Sequence, residues 1–340
     1  MTTRANNDPA ALTRREAIHL LGVAGGLGIL ASHAEAAAAP IVRTVLEDVP
    51  PERLTGTTLF HEHLSIRSSD GQLDDTALIA DEVRACKADG VSCIVDAGVA
   101  GLGRKIDALR TIAERSGVFI VAGGGLHVKS DYAPDVFRKT ADQVAADFVA
   151  RAKAERWGVI GEMGTGTAVP MDPEERKALQ AAAKAHARTG LAVITHTSDG
   201  CARCALEQVD VLEAAGANLG KVVIGHLNDI ATDPSAAPIA IAKRGASLGF
   251  DHSGRPDDPR LDEYVRTILA VLEAGYADRV FLSSDFGSAK YLRKNGGPGI
   301  DMTVTTFVPR LRRAGVDERT LHRILVDNPR RLLAFVPEKT

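Results

Sequence analysis

The segment TLFHEHLS, residues 58–65, places two histidines inside an otherwise apolar run. In a β-strand, residues i and i+2 lie on the same face, so His61 and His63 would point one way and Glu62 the other. Two imidazoles that face one space can bind a metal ion. The alternative for an isolated pair is that one histidine packs in the core and the other caps a loop.

Residues that can bind a metal also end most of the later apolar runs. They are Glu162, His196, His226, the pair Asp251 and His252, and Asp285. Each follows a run that is typical of a buried strand, such as LAVITH or KVVIGH. One buried histidine is ordinary, but six metal-capable residues at five strand ends are hard to explain by packing. They are the histidines His61, His63, His196 and His226 and the carboxylates Glu162 and Asp285. The pattern therefore predicts a single metal-binding cluster.

The elements that must position this cluster alternate along the chain from Thr57 onward. The β-rich runs are TTLFHEH, SCIVDAG, VFIVAGG, WGVIGE, LAVITH, KVVIGH, ASLGFD and RVFLSS, and alanine-rich, charged stretches separate them. Eight such units over roughly 280 residues favour an α/β fold of the (β/α)8 TIM-barrel type, in which the carboxyl ends of the strands share one mouth. GGGLH at 123–127 does not fit the G-x-G-x-x-G fingerprint expected of an open dinucleotide-binding sheet.

Composition excludes several classes of partner. The chain has 340 residues and a net charge of −3, so charge predicts neither a nucleic-acid nor an anionic-membrane partner. Four cysteines are too few for a disulfide scaffold. Cys201 and Cys204 form one CxxC without a second pair for a zinc site, so we interpret them as incidental, with a disulfide in an oxidising compartment as the alternative.

The N-terminal segment predicts export. Arg14 and Arg15 precede a weakly apolar stretch, and Ala34 and Ala36 follow in an A-x-A arrangement. This layout is typical of a cleaved twin-arginine signal, so we expect residues 1–39 to engage the twin-arginine export machinery and residues 40–340 to be a single catalytic domain, periplasmic or secreted. No other segment is long and apolar enough to span a membrane, so the mature protein is expected not to do so.

A two-metal site needs a group that spans the gap of about 3.5–4 Å between the ions. Glu162 is the only carboxylate at the end of the fourth predicted strand, so we assign it the bridging position. The expected ligands of the more buried ion are His61, His63 and Asp285, and those of the more exposed ion are His196 and His226. A hydroxide that bridges the two ions would attack the substrate, because the metals lower the pKa of bound water.

These motifs resemble the phosphotriesterase family of the amidohydrolase superfamily. The resemblance rests on HEH, THT at 195–197, IGH at 224–226, FDH at 250–252 and SSD at 283–285. GEMGT at 161–165 and the stretch 295–315 look most like the branch called phosphotriesterase homology proteins. The resemblance implies a (β/α)8 barrel of the metal-dependent hydrolase type with two divalent ions, usually zinc. Members are often homodimers.

One departure from the family pattern bears on the substrate. Phosphotriesterases and related lactonases bridge the metals with a carboxylated lysine, whereas WGVIGEMG contains no lysine. Glu162 matches the glutamate-bridged branch, some members of which cleave amides. The resemblance therefore implies hydrolysis of an ester, lactone or amide bond in a small-molecule substrate. The alternatives are an organophosphate triester hydrolase and a non-catalytic barrel that binds metal or ligand.

The resemblance also implies a proton relay. His252 would accept a proton from Asp285, and Asp229 would orient the imidazole. Asp251 is either a support for the site or a buried hydrogen-bond acceptor. The candidate substrate contacts lie in loops that follow strands, and they are His127, Lys129, Arg255, Lys290 and Arg293, with solvated loop residues as the alternative for each. Because several of these are basic, an anionic group on the substrate is conceivable.

Overall fold

The computed structural model describes residues 1–2, 39–68, 71–230 and 235–337. Residues 39–340 form one compact unit. The residues on which the predicted export signal depends, from Arg14 to Ala36, lie outside the described ranges. Across those ranges, the search for a membrane-spanning helix found none of sufficient length and apolarity.

Eight parallel strands form the barrel, one from each β-rich run of the sequence. Their bounds are β1 Thr57–Glu62, β2 Val91–Asp96, β3 Phe119–Ala122, β4 Val159–Thr165, β5 Ala192–Thr197, β6 Val222–Ile224, β7 Ser247–Phe250 and β8 Val280–Leu282. Strands β1 to β3 pair in chain order, and so do β4 to β8. The predicted (β/α)8 fold is confirmed.

Backbone contacts at two seams close the sheet into a barrel. Ala122 at the end of β3 pairs in parallel with Trp157, just before β4. Between β8 and β1, the amide of Asp285 donates to the carbonyl of His61 at 3.1 Å, and the amide of His63 donates to Phe286 at 2.7 Å. The second seam therefore joins the two segments that carry the first and last of the predicted metal ligands.

Helices pack around the strands. Their bounds are α1 Thr76–Ala88, α2 Ile106–Ser116, α3 Ala141–Glu155, α4 Pro173–Thr189, α5 Ala202–Ala214, α6 Ala236–Lys243, α7 Leu261–Glu273, α8 Val308–Arg313, α9 Glu318–His322 and α10 Asn328–Leu333. The ends of α4 show how the sequence sets these limits: Asp172 caps the first turn, Pro173 occupies the first helical position, and Gly190 ends the helix in the left-handed conformation.

Smaller elements complete the fold. Two short antiparallel pairs join Val42–Arg43 to Asp48–Val49 and Ile66–Ser68 to Gly71–Leu73. A π-helical segment, Thr303–Phe307, leads into α8, and a second, Arg323–Asp327, joins α9 to α10. Val42 and Val49 pack with Leu332 and Leu333 of α10 against apolar side chains of the barrel strands.

Two strands that carry predicted ligands contain irregularities. The pairing of β1 with β2 shifts between Leu59 and Glu62, and the pairing of β4 with β5 shifts between Ile160 and Met163. Leu59 packs with residues of the surrounding helices, whereas the next residue, Phe60, packs with apolar residues from other strands. A bulge inserts one extra residue and changes which side chains face each side, so these bulges re-aim the residues that follow them.

Candidate metal centre

The carboxylate of Glu162 lies among four histidines. Its Oε2 atom is 3.3 Å from Nε2 of His61, 3.1 Å from Nδ1 of His196 and 3.8 Å from Nε2 of His226. Its Oε1 atom is 3.4 Å from Nε2 of His63. The two oxygens therefore face nitrogens from both predicted ligand groups, which is the position that a bridging carboxylate must occupy.

The inner group consists of His61, His63 and Asp285. Oδ1 of Asp285 is 2.9 Å from Nε2 of His63 and 3.8 Å from Nε2 of His61. Nε2 of His61 is buried and faces two carboxylates without the geometry of a hydrogen bond to either. A buried polar atom without such a partner is costly, and ligation of a cation would satisfy it. The donor set of imidazoles and carboxylates suits a divalent ion such as zinc.

The outer group contains His196 and His226, whose Nδ1 and Nε2 atoms are 2.7 Å apart. The carbonyl of His196 accepts from Nε2 of Gln208 at 2.9 Å, which fixes the end of β5 to α5. Ser198 Oγ is 3.3 Å from the other ring nitrogen of His196. The two histidines therefore present their nitrogens to the same space as Oε2 of Glu162.

Asp251 orients one histidine of each group. Its Oδ1 atom accepts from the backbone amide of His226 and lies 2.8 Å from Nδ1 of the same residue. Its Oδ2 atom is 3.0 Å from Nδ1 of His61. A carboxylate on one ring nitrogen fixes the tautomer and leaves the other nitrogen free to bind a metal. Asp251 thus supports both groups.

The backbone is strained at two of these positions. His226 has a φ of 58° and Asp285 a φ of 46°, both in the left-handed region that residues other than glycine seldom adopt. Hydrogen bonds hold each residue there: the amide of His226 donates to Asp251, and the amide of Asp285 donates to His61. Strain of this kind concentrates at functional sites, where surrounding contacts maintain it.

The protonation states of Glu162, Asp285 and His226 suit cation binding. Burial raises the pKa of Glu162, but His61, His196 and His63 outweigh it and hold the pKa well below its usual value. Asp285 also has a pKa well below normal, because hydrogen bonds from His252 and His63 outweigh its burial. Both carboxylates are therefore ionised at neutral pH. Burial lowers the pKa of His226 to about 4, so this imidazole is neutral and keeps a lone pair.

A second chain of side chains leads from Asp285 toward the surface. Nε2 of His252 is 3.1 Å from Oδ2 of Asp285, and Nδ1 is 2.9 Å from Oδ2 of Asp229. Burial lowers the pKa of His252, but these two carboxylates raise it to about 9. Arg260 holds the far oxygen of Asp229 at 3.1 Å. The order of groups predicted for the proton relay is present in the structure.

A cavity of about 310 Å³ opens above the two groups. Its walls are His63, Ile66, Leu102, His127, Glu162, His196, His226, Arg255, Asp285, Gly287, Ser288, Lys290 and Tyr291. Three of the expected substrate contacts, His127, Arg255 and Lys290, therefore lie at the cavity. Arg255 is also bound to Oδ2 of Asp285 at 2.6 Å, so part of its charge is already neutralised.

Two of the five candidate contacts lie away from the cavity. Lys129 and Arg293 do not line the cavity: Lys129 pairs with Asp172 at 2.7 Å, and Arg293 pairs with the buried Asp301 at 2.6 Å. The loops that carry Lys129 and Arg293 direct these side chains toward Asp172 and Asp301 and away from the cavity.

The interpretation of the two CxxC cysteines as incidental is wrong. Cys201 and Cys204 form a disulfide at the start of α5. The amide of Cys204 donates to the sulfur of Cys201, which caps the helix.

Sequence reasoning missed what Glu62 contributes. Its buried carboxylate accepts hydrogen bonds from the hydroxyls of Ser283 and Ser284 and from the amide of Phe286. These residues flank Asp285, so Glu62 fixes the loop that carries a predicted ligand. The SSD motif could have indicated this role. Two serines beside a predicted ligand are hydroxyl donors, and buried donors need an acceptor.

Comparison with known proteins gives one family. The sequence profile of the phosphotriesterase family matches residues 40–333. N-acetyltaurine hydrolase from Tetraodon nigroviridis is 29% identical over 346 aligned residues, covering 86% of this chain and 98% of the relative.

Solved structures agree with this assignment. A resiniferatoxin-binding protein from Rhodobacter sphaeroides is 32% identical, with a TM-score of 0.81 over 87% of this chain and 96% of the other. The phosphotriesterase homology protein from Escherichia coli, solved with phosphate in its active site, is 29% identical, with a TM-score of 0.77 over 82% of this chain and 99% of the other. The resemblance inferred from the motifs is confirmed.

Proposed function

Because this chain belongs to the phosphotriesterase family, we propose that it is a two-metal hydrolase of N-acyl amides whose amine part carries an acidic group. Family membership already makes it a metal-dependent hydrolase of ester, lactone or amide bonds. The observation that carries the two-metal proposal is the position of Glu162, whose two oxygens lie within 3.8 Å of nitrogens from four histidines.

The proposed ligands follow from the distances. His61, His63 and Asp285 would hold the inner ion, His196 and His226 would hold the outer ion, and Glu162 would contribute to both. Two bound divalent ions supply an activated water at neutral pH and polarise the carbonyl that is attacked. Histidine nitrogen and carboxylate oxygen suit zinc, which is the proposed metal.

Three side chains of the protein, Asp285, His252 and Asp229, transfer the protons of the reaction. Asp285 lies between the metal-facing histidines and His252, and its Oδ2 atom is 3.1 Å from Nε2 of His252, which carries a proton at neutral pH because its pKa is raised to about 9. Asp229 holds Nδ1 of the same imidazole and stabilises its charged form. Amide cleavage needs such a route, because the departing amine must receive a proton before it leaves: the protonated His252 can donate one through Asp285 to the amine and recover one from the acid product.

Two basic residues at the cavity are the structural argument for an acidic substrate. Lys290 is half exposed and pairs with Asp257 at 2.9 Å, whereas Arg255 lies deeper and pairs with Asp285; both line the cavity. The similarity to N-acetyltaurine hydrolase supports the same choice, because that protein's named substrate joins an acetyl group to an amine bearing a sulfonate. Glu162 in place of the lysine of organophosphate hydrolases argues against a triester.

Matched substrates test this proposal. Zinc-loaded protein should hydrolyse N-acetyltaurine and N-acetyl-β-alanine at least 10-fold faster, in kcat/KM, than an N-acetyl amine of the same length without the acid. In Lys290→Met, KM for the acidic substrates should rise while KM for the neutral one stays constant. Preference for a lactone or a phosphotriester over every amide would contradict the substrate, and binding without turnover of any of them would contradict hydrolysis.

We further infer that residues 1–39 are a twin-arginine export signal and that the mature enzyme is periplasmic or secreted. The paired Arg14 and Arg15 support this, as does a family match that begins at residue 40. Replacement of both arginines by lysine should retain the full-length protein inside the cell. Export of that variant at the wild-type level would contradict the twin-arginine route. A homodimer remains a prediction, and the mass in solution would test it.

A further inference from the structure

The imidazole of His127 lies beside the outer ligand group, at a distance that suits a metal ligand. One of its ring nitrogens, an oxygen of Glu162 and a nitrogen of His196 all lie within 4.8 Å of one another. The rings of His127 and His196 meet edge to face with their centroids 4.6 Å apart. The side chain is 16% exposed, so most of the imidazole is already removed from water.

The backbone holds His127 at this place. The loop after β3 runs across β4, and the amide of Gly164 donates to the carbonyl of Leu126 at 3.1 Å. A Cβ atom at Gly164 would stand 2.7 Å from the backbone of His127, so only glycine permits this approach. Gly164 is two residues from Glu162, and His127 is thereby packed beside the strand that carries the bridging carboxylate.

Asp131 holds the ring in one orientation. Its Oδ2 atom is 2.7 Å from Nδ1 of His127. With Nδ1 engaged by the carboxylate, the free lone pair is on Nε2. The same arrangement occurs at His226, whose Nδ1 faces Asp251. Histidines that bind metals usually carry a carboxylate or carbonyl on the second nitrogen in this way.

We propose that His127 is a third histidine ligand of the outer ion, joining His196 and His226. The proposal rests on the two-metal function proposed above and adds a donor to it. With Glu162, the outer ion then has four protein donors. The loop from β3, through Asp131, becomes part of the metal site, and the outer ion is held more firmly than two histidines and a carboxylate alone would hold it.

Metal affinity tests the proposal directly. Purified mature protein would be stripped of metal and titrated with zinc against a chromophoric chelator, with total metal confirmed by mass spectrometry. The wild type should bind two ions. His127→Ala should keep the inner ion at unchanged affinity and lose at least 10-fold in affinity for the outer ion, and Asp131→Asn should lose about 10-fold to 100-fold. His322→Ala, which removes an exposed histidine from α9, is the matched control and should bind both ions as the wild type does.

Cobalt distinguishes ligation from mere packing. Replacement of zinc by cobalt gives a visible absorption spectrum that depends on the donor atoms. His127→Ala should change the spectrum of the outer ion, and free imidazole added to this variant should restore it, because a small imidazole can fill the space of the missing side chain.

The outcomes separate the two proposals. If the wild type binds fewer than two ions, the two-metal function fails, whatever the variants do. If the wild type binds two ions and His127→Ala binds both with wild-type affinity and an unchanged cobalt spectrum, the two-metal function stands and the ligand role of His127 is overturned. Loss of outer-ion affinity in His322→Ala to the same degree would overturn it as well.

Discussion

The carboxylate of Glu62 accepts hydrogen bonds from both the backbone amide and the hydroxyl of Ser284, at 3.1 Å and 3.0 Å. Glu62 is the last residue of β1, and Ser284 lies in the loop that follows β8. Glu62 stands between His61 and His63, and Ser284 directly precedes Asp285. One carboxylate therefore aligns the two segments that supply the inner ligand group.

Loss of the Glu62 carboxylate should therefore affect both folding and metal binding. Glu62→Ala leaves buried donors on Ser283, Ser284 and Phe286 without an acceptor, and each unsatisfied group costs about 1–3 kcal/mol. We expect denaturant unfolding to show a loss of several kcal/mol, and zinc titration to show a weaker inner ion. Glu62→Gln keeps one oxygen and should show a smaller loss. Wild-type affinity for both ions in Glu62→Ala would contradict the alignment role.

Glu162→Gln tests the bridging assignment. An amide presents one neutral oxygen and cannot join two cations as a carboxylate does. The variant should retain fewer than two ions per chain by elemental analysis and lose turnover by roughly two orders of magnitude or more. Glu273→Gln, which changes an exposed carboxylate at the end of α7, is the matched control. Full metal content and rate in Glu162→Gln would refute the bridge.

His252→Ala separates proton transfer from metal binding. The imidazole touches Asp285 and Asp229 but lies outside both proposed ligand groups. Removal of a general base typically lowers kcat by about 10²–10⁴-fold. The variant should keep two ions and show a changed dependence of kcat on pH, and Asp229→Asn should show a smaller effect of the same kind. Identical pH profiles for wild type and His252→Ala would exclude the relay.

His252 also predicts how stability depends on pH in the metal-free protein. Its pKa is raised from 6.5 to about 9 by Asp229 and Asp285 against the effect of burial. Between these values the folded state binds more protons than the unfolded state, so this contribution is fully present below pH 6.5 and is lost as the pH rises through 9. The contribution is at most about 1.4 kcal/mol per pKa unit.

The measurement compares the free energy of unfolding of wild type and His252→Gln from pH 6 to pH 9.5, in the presence of a chelator. The difference between the two proteins should shrink as the pH rises. A difference that stays constant, or that grows with pH, would contradict the raised pKa.

The disulfide should contribute modestly. Cys201 and Cys204 enclose only a short loop, so the chain-entropy estimate for the crosslink is about 2 kcal/mol or less. Serine at position 201 can still cap α5, since its hydroxyl accepts from the same amide. The double variant Cys201→Ser, Cys204→Ser should therefore lose up to about 2 kcal/mol of unfolding free energy and retain both ions. Loss of metal would show that the crosslink shapes the outer group.

The sequence predicted the strand order and the ligand cluster because both depend on local patterns. Apolar runs separated by helical stretches identify the strands, and residues at their carboxyl ends must meet in a barrel. Simple alternation could not predict the bulges in β1 and β4, since one inserted residue changes the pairing without changing the composition of the run.

Contacts between distant segments were the least predictable part of the site. The acceptor for Ser284 is Glu62 on β1, which is adjacent in the barrel but far away along the chain. No local sequence pattern connects the two residues. Arg293 was a candidate for the cavity because its loop follows a strand, but its guanidinium pairs with Asp301 instead. His127 was a candidate substrate contact. Its packing beside β4 depends on the close approach of Gly164 to its backbone, and sequence spacing does not reveal that approach.

Asp251 touches a histidine of each ligand group, Nδ1 of His61 through one oxygen and Nδ1 of His226 through the other. The two ligand groups therefore share one support, because a shift of this carboxylate would turn a ring in each of them. Loss of the carboxylate should weaken the binding of both ions, whereas loss of a ligand from one group should weaken mainly the ion of that group.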